Sequence, residues 1–303
     1  MPFKLKTNNQ YIELPKTFGV ELYLKREDKI HSFISGNKYR KLKYNLIEAN
    51  NQNQNTLLTF GGAYSNHIAA VASAGKEFGF KTIGVIRGDE LEPKISKNPT
   101  LLFAQQSGMH FKFVTREVYK GKTSTEFLHV LKNEFGEFYH IPEGGTNELA
   151  VKGCAEILTK KDKTFDIICC AVGTGGTISG LINASESSQK ILGFPALKGN
   201  FLQKEINKFA TKSNWELVSN YHFGGYAKIN NELVEFINKF KYEHQIQLDP
   251  IYTGKMMYGI MDLIAKNTFK KGAKILAIHT GGLQGIDGMN LKLKQKNLPL
   301  ISQ

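Results

Sequence analysis

The chain has 303 residues, 41% of them hydrophobic and 22% charged, with 40 Lys and Arg against 27 Asp and Glu for a net charge of +13; this is the balance of a folded chain with a sizeable core, not of a disordered one. Its lysines are spread evenly, with no basic run or zinc-finger spacing, so nucleic acid is not the expected partner and small phosphorylated or acidic molecules suit the positive field better. No stretch is long enough to span a membrane, the N-terminal MPFKLKTNNQYIELP carries no hydrophobic targeting core, and Cys154, Cys169 and Cys170 form no disulfide framework; a cytoplasmic chain without membrane partners is expected.

Val20–Glu27 reads as a strand, and Asn37–Ala49 as an amphipathic helix. Thr56–Phe60 is a strand, Gly61–Tyr64 a loop, and the segment from Ser65 a helix that Ser65 or Asn66 caps and Gly79 ends. Strands follow at Thr82–Arg87 and Met109–Val114, separated by a helix near Pro99–Ser107. Helices are predicted over Thr125–Phe135 and Asn147–Leu158. Phe165–Val172 is almost wholly apolar, as a parallel strand covered on both faces must be. A glycine loop and a helix from Ile178 come next, then a strand at Lys190–Phe194, helices at Asn231–Phe240 and Lys255–Ala265, and a last strand at Lys274–Thr280. The alternation predicts an α/β fold with mostly parallel sheets. No repeat and no proline-rich linker divides it.

Three glycine-rich segments follow predicted strands. In Ala171–Gly180, glycines let the chain turn tightly and let several N–H groups converge at a helix N-terminus, with Thr174 and Thr177 as extra donors, a set suited to phosphate. The segment lacks the Gly-Lys-Ser/Thr ending of a P-loop and does not fit GxGxxG. In Gly61–His67, free N–H groups and Ser65 could receive a carboxylate and Asn66 a ring oxygen; helix capping explains Ser65 or Asn66 equally well, and His67 equally fits a packed imidazole. His279–Gly282 ends the last strand, where parallel sheets expose ligand loops. In Ser35–Asn45, Lys38 and Lys41 share a helix face at i,i+3. Neighbouring cations and burial would lower the pKa of a nucleophilic lysine, although the local pattern alone is that of a charged surface helix.

GNKYRKL, GGAYSNH, VGTGGTISG, YTGKMMYG and HTGG occur in this order between about Glu21 and Gly285. Their sequence resembles the fold type II pyridoxal-phosphate enzymes, and within them the group of D-cysteine desulfhydrases and 1-aminocyclopropane-1-carboxylate deaminases. The resemblance implies a tryptophan-synthase-β-like fold of two open, twisted, parallel-sheet domains: residues 1–52 with 162–303 as the larger, and 53–161 inserted as the smaller. It implies pyridoxal 5′-phosphate as cofactor, a small amino acid as substrate and a homodimer. Lys38 would form the Schiff base and move the substrate's α-proton. Lys41 would meet the phosphate within a cup of Gly173, Thr174, Gly175, Gly176 and Thr177. Asn66 would contact the pyridine 3′-oxygen. Ser65, with Asn66 and His67 nearby, would hold the substrate carboxylate. Tyr252 would stand near substrate or cofactor, and Thr280 at the pyridine nitrogen. In the deaminase branch a glutamate preceded by a tyrosine approaches that nitrogen, whereas His279 and Thr280 stand here. The expected reaction is a D-cysteine desulfhydrase-like α,β-elimination to pyruvate, ammonia and sulfide. Ring opening of the cyclopropane amino acid and noncatalytic binding of a phosphate ligand are the alternatives.

Overall fold

The computed structural model describes residue 3 and residues 6–303; Met1, Pro2, Lys4 and Leu5, part of the expected first segment, lie outside it. The chain begins with β1 (Asn9–Ile12) and β2 (Glu21–Lys25), then α1 (Asn37–Asn51). Next come β3 (Thr56–Gly61), α2 (Asn66–Phe78), β4 (Lys81–Arg87), α3 (Pro99–Gln106), β5 (Met109–Val114), α4 (Arg116–Lys120), α5 (Thr125–Phe135) and β6 (Tyr139–Ile141). After α6 (Glu148–Ala155) follow β7 (Ile167–Val172), α7 (Gly176–Ala184), β8 (Lys190–Pro195), α8 (Phe201–Asn207) and β9 (Trp215–Leu217). The chain closes with α9 (Asn231–His244), α10 (Thr253–Ala265), β10 (Lys274–Ile278) and α11 (Gly285–Gln295).

The strands form two sheets. The larger runs β1-β2-β10-β7-β8-β9, parallel throughout except for the antiparallel β1–β2 pair, in which Tyr11 faces Tyr23. The smaller, β5-β4-β3-β6, is wholly parallel. Parallel strands need covered faces, and helices supply the cover. One apolar cluster joins Leu24, Ile275 and Cys169 of the large sheet to Met256 and Ile260 of α10 and Leu233 of α9.

The first helix stands between the sheets. Its Tyr39, Leu42 and Leu46 share an apolar cluster with Ile68 and Val71 of α2 and Leu57 of β3. Its other side meets α6, where a Cβ on Gly153 would come within 2.0 Å of the Arg40 carbonyl oxygen. Only glycine permits that approach. The charged residues of α1 are not a solvated face. Arg40 is buried and makes a two-pronged ion pair with Glu27, Nε to Oε2 at 2.8 Å and Nη2 to Oε1 at 2.9 Å.

The predicted elements are present with shifted ends. The first strand stops at Lys25 because Glu27 turns inward, in a 3₁₀ turn, to meet Arg40. The last stops at Ile278, where His279 leaves the sheet to donate to the Gln247 carbonyl. The short strands β1, β6 and β9, of four, three and three residues, were not expected. No helix among the described residues is long and apolar enough to cross a membrane.

Candidate active site

The C-terminal ends of β3, β7 and β10 point their loops at one cleft, as parallel sheets do. Its empty volume is about 710 Å³, counting the part open to solvent. Lys38, Lys41, Ser65, Asn66, His67, Gly173, Thr174, Gly175, Thr177, Tyr252 and Thr280 all line it. Gly176 alone of the predicted residues is set back from the lining. A Cβ there would fall 2.9 Å from Thr146 and 3.2 Å from Lys41 Nζ. Gly281 and Gly282, within the expected ligand loop, also line it, as do Asn37, Gly144 and Tyr226, to which the sequence assigns no role.

Lys38 is the second residue of α1, and two loops fix that helix end. Gly36 has φ +60°, and a Cβ there would lie 1.9 Å from the Thr280 carbonyl oxygen. The same carbonyl accepts from Asn37 N at 3.2 Å. Asn37 Nδ2 donates to Thr177 Oγ1 at 2.8 Å. The loop after β10 and the first turn of α7 therefore set where Lys38 emerges. Enclosure, with Lys41 close by, lowers the Lys38 pKa to about 7, so an appreciable fraction of the amine is neutral near pH 7.

Lys41 is 2% exposed. Its Nζ donates to the Gly144 carbonyl at 2.9 Å and Thr146 Oγ1 at 3.0 Å, and lies 3.5 Å from Thr174 Oγ1. Burial lowers its pKa as well. It stands beside the glycine loop, where α7 begins at Gly176 and Gly175 takes the left-handed φ of +85°. A buried cation beside free N–H groups at a helix N-terminus is a phosphate-binding arrangement.

The other end of the cleft is built from longer side chains. Ser65 caps α2, accepting from Ile68 N at 3.3 Å, and its side also faces the cleft, so capping and binding are compatible. Asn66 has one end of its amide, Oδ1, buried without a partner. His67 departs from the expected carboxylate contact. Thr59 Oγ1 donates to the Ile141 carbonyl at 2.8 Å, so the 2.8 Å contact between Thr59 Oγ1 and His67 Nε2 has the ring as donor. Burial and the nearby Lys38 and Lys41 hold the His67 pKa well below its usual value. A neutral ring that spends its N–H on Thr59 has no charge to offer a carboxylate, and Nδ1 is left without a partner.

Tyr252 is kept protonated: burial, Tyr226 and Asp249 raise its pKa well above the usual phenol value. Tyr226 meets it edge to face, with ring centroids 6.3 Å apart. Beneath, Asp249 accepts from Ile251 N, Tyr252 N, Thr253 N and Thr253 Oγ1 at 2.7–2.9 Å, which pins the entry into α10. Thr280 borders the same end. Its neighbour His279 donates from Nε2 to the Gln247 carbonyl at 2.7 Å and accepts from Gly281 N at 3.2 Å, bracing the turn. No Asp or Glu is among the residues that line the cleft.

These residues fit a phosphorylated aldehyde cofactor: a lysine amine held near neutrality, an amide end without a partner, and a second buried lysine under a glycine loop. The chain matches the family described as pyridoxal-phosphate dependent enzyme over residues 5–281. It belongs to the pyridoxal-phosphate-dependent enzymes. A Pyrococcus horikoshii protein provisionally named 1-aminocyclopropane-1-carboxylate deaminase is 33% identical over 304 residues, covering 92% of this chain and 90% of that protein. The mitochondrial bifunctional D-cysteine desulfhydrase/1-aminocyclopropane-1-carboxylate deaminase of Arabidopsis thaliana is 31% identical over 297 residues, 88% of this chain and 74% of that protein. A crystal structure described as an ACC deaminase homologue superposes with a TM-score of 0.81 at 30% identity, covering 97% of this chain and 94% of the other. This pyridoxal-phosphate enzyme thus falls in the deaminase and desulfhydrase group and has the fold type II architecture expected from its motifs.

Proposed function

We propose that the enzyme eliminates sulfide from D-cysteine. The observation that carries this reading is the lining of the cleft, which offers the threonine hydroxyl of Thr280 and no carboxylate. A hydroxyl supports positive charge on a pyridine nitrogen less strongly than a carboxylate would. Reactions that need the deepest electron sink, such as cyclopropane opening, are disfavoured relative to loss of a good β-leaving group. The hydroxyl of Thr253, next to Tyr252, is committed to Asp249 and adds no charge.

Bound pyridoxal phosphate supplies the sink for the electron pair left when the substrate loses its α-proton. Lys38 would hold the cofactor through its amine and, when not so engaged, would accept the substrate's α-proton, a role helped by a pKa that its enclosure lowers to about 7 in the cofactor-free chain. Lys41 and the N–H groups of Gly173–Thr177 would hold the phosphate. The Asn66 Nδ2 amide would donate to a ring oxygen. Ser65 and the N-terminus of α2 hold the substrate carboxylate, while neutral His67 backs that loop. Tyr252, held protonated at the cleft wall, would serve as a donor and not as a base. The Cβ–S electron pair leaves with sulfur, and water converts the remaining three-carbon enamine to pyruvate and ammonia.

The test compares two substrates at steady state. Sulfide and pyruvate should form from D-cysteine with a kcat/KM at least about tenfold above that for 2-oxobutanoate from 1-aminocyclopropane-1-carboxylate. The reverse order would replace this reading with the second one, cyclopropane deamination, the activity named for the Pyrococcus horikoshii relative and one of the two named for the Arabidopsis thaliana relative. The division into residues 1–52 with 162–303 and an inserted 53–161, a homodimer and a cytoplasmic location stay part of the proposal. Light scattering of the purified protein tests the dimer.

A further inference from the structure

Lys255 is 1% exposed, yet it takes no part in the chemistry above. Among the described residues it makes no ion pair. Its Nζ donates instead to two backbone carbonyls of one turn, His222 at 2.9 Å and Gly225 at 2.8 Å. An ammonium whose only direct partners are carbonyls is costly to bury, and burial lowers the Lys255 pKa to about 8 although the Asp249 carboxylate is near enough to oppose the shift. A group kept at such a cost holds something that does not hold itself.

The turn is of that kind. Phe223, Gly224, Gly225 and Ala227 all have positive φ, at 52°, 87°, 115° and 55°. The left-handed region is unfavourable for Phe and Ala, so the turn stores strain. Its own hydrogen bonds are few: Gly225 N to His222 O at 3.0 Å, Lys228 N to Gly225 O at 3.2 Å and Gly224 N to His222 Nδ1 at 3.0 Å. Both carbonyls that Lys255 binds are the acceptors of these turn bonds, so the chain wraps around the ammonium. The residue within the wrap is Tyr226. It lines the cleft and packs edge-on against Tyr252.

We propose that Lys255 is a positioning residue whose buried ammonium holds the His222–Lys228 turn so that Tyr226 closes the substrate side of the cleft over Tyr252. The effect on turnover passes through Tyr226; the phosphate cup, which the Tyr252 ring borders at Gly173, keeps its own support in Lys41, held by the Gly144 carbonyl and Thr146. The claim rests on the cleft being the catalytic site and not on D-cysteine being its substrate. It is assayed with whichever of D-cysteine and 1-aminocyclopropane-1-carboxylate the unaltered enzyme turns over faster.

Lys255→Met removes the donors and keeps the length of the side chain. In the cofactor-free protein, amide exchange at Gly225 and Lys228 should speed up by about tenfold or more, while α7 and the glycine loop keep their protection. Pyridoxal phosphate should bind within about twofold of the unaltered chain, and kcat/KM should fall by at least about tenfold. Lys255→Gln retains an amide donor for one carbonyl and should fall between the two. In a Tyr226→Ala chain, adding Lys255→Met should cost less than about twofold further. Unchanged exchange at the turn overturns the proposal, as does weakened cofactor binding or a full additional loss in the Tyr226→Ala background. If both Lys255 variants fail to fold, the residue serves the fold at large and the proposal is equally overturned. Where Tyr226→Ala is too slow to assay, the exchange rates decide.

Discussion

The two ends of the cleft are made differently. At the end proposed to take the phosphate the groups are backbone N–H groups, small residues and Lys41, and most lie in one contiguous loop and the helix turn after it. At the other end they are the side chains of Asn66, Tyr226, Tyr252 and Thr280, each on a different element, and the last three are held from behind. Asp249 pins Tyr252, Lys255 pins the turn of Tyr226, and His279 braces the turn after Thr280. A phosphate is the same in every substrate complex, so a rigid local cradle suffices. A substrate pocket has to differ between enzymes of one fold, and its differences can be set by supports that never touch the ligand.

Lys38 joins the two ends, and altering it should have the largest effect. Lys38→Ala should lower turnover by about a thousandfold or more, since in the proposed mechanism one amine both holds the cofactor and moves the proton. Stopped assays for pyruvate and a borohydride-reduction peptide map check this, with retained turnover counting against the role. Lys38→Met should make the cofactor-free protein more stable at pH 7. The folded-state pKa is lowered to about 7 from an ordinary 10.5, so between these values the unfolded chain binds more protons. Stability conferred by the native lysine environment therefore falls as pH drops from about 10 to 7, and the neutral methionine escapes that loss. Thermal melts of both cofactor-free proteins across pH 6–10 should converge at the alkaline end. Capture of the cofactor needs the neutral amine. Its rate should rise about tenfold per pH unit below pH 7 and level above it, where a lysine of ordinary pKa would keep rising toward pH 10.

The next effect isolates the phosphate end. Gly176 opens α7 in helical conformation, and helix propensity alone makes Gly176→Ala stabilising by about 1 kcal/mol. The contacts predict a cost, because the added methyl would lie 2.9 Å from Thr146 and 3.2 Å from Lys41 Nζ. Absorbance titration of the cofactor-free variant should show pyridoxal phosphate binding weakened by about ten- to a hundredfold, which is about 1.4–2.8 kcal/mol. Binding of pyridoxal, which lacks the phosphate, should hardly change. Equal loss for both ligands would mean that the methyl disturbs the cleft as a whole.

The same contrast governs how much could be read from the sequence. The strand–glycine loop–helix units were legible because hydrophobic run, turn and cap are all local, and Gly173–Thr177 came with them. The family motifs made Lys38 and Thr280 legible. The surroundings of α1 were not: Arg40 and Lys41 look like a solvated stripe, and what buries them is Glu27, thirteen residues away, and the Gly144–Thr146 segment more than a hundred residues away. His67 carries no signal of its tautomer, which is set by Thr59 and the carbonyl of Ile141 on a three-residue strand too short for any period. Tyr226 and Lys255 were missed for a related reason. Tyr226 sits in an irregular turn, and Lys255 within a predicted helix meets its partners about thirty residues upstream.

The smallest expected effect bears most directly on the substrate end. Thr280→Val keeps the shape of the side chain and the backbone carbonyl that receives Asn37 N, and removes only the hydroxyl. If that hydroxyl partners the pyridine nitrogen, its loss costs about one neutral hydrogen bond, roughly 1 kcal/mol, or a five- to tenfold fall in kcat with cofactor affinity nearly unchanged. The fall should be larger for 1-aminocyclopropane-1-carboxylate than for D-cysteine, because ring opening leans harder on the electron sink than departure of sulfide does. A fall of equal size for both substrates would place the hydroxyl in substrate positioning instead. An unchanged kcat would remove Thr280 from the nitrogen altogether and with it the electrostatic case for elimination over ring opening.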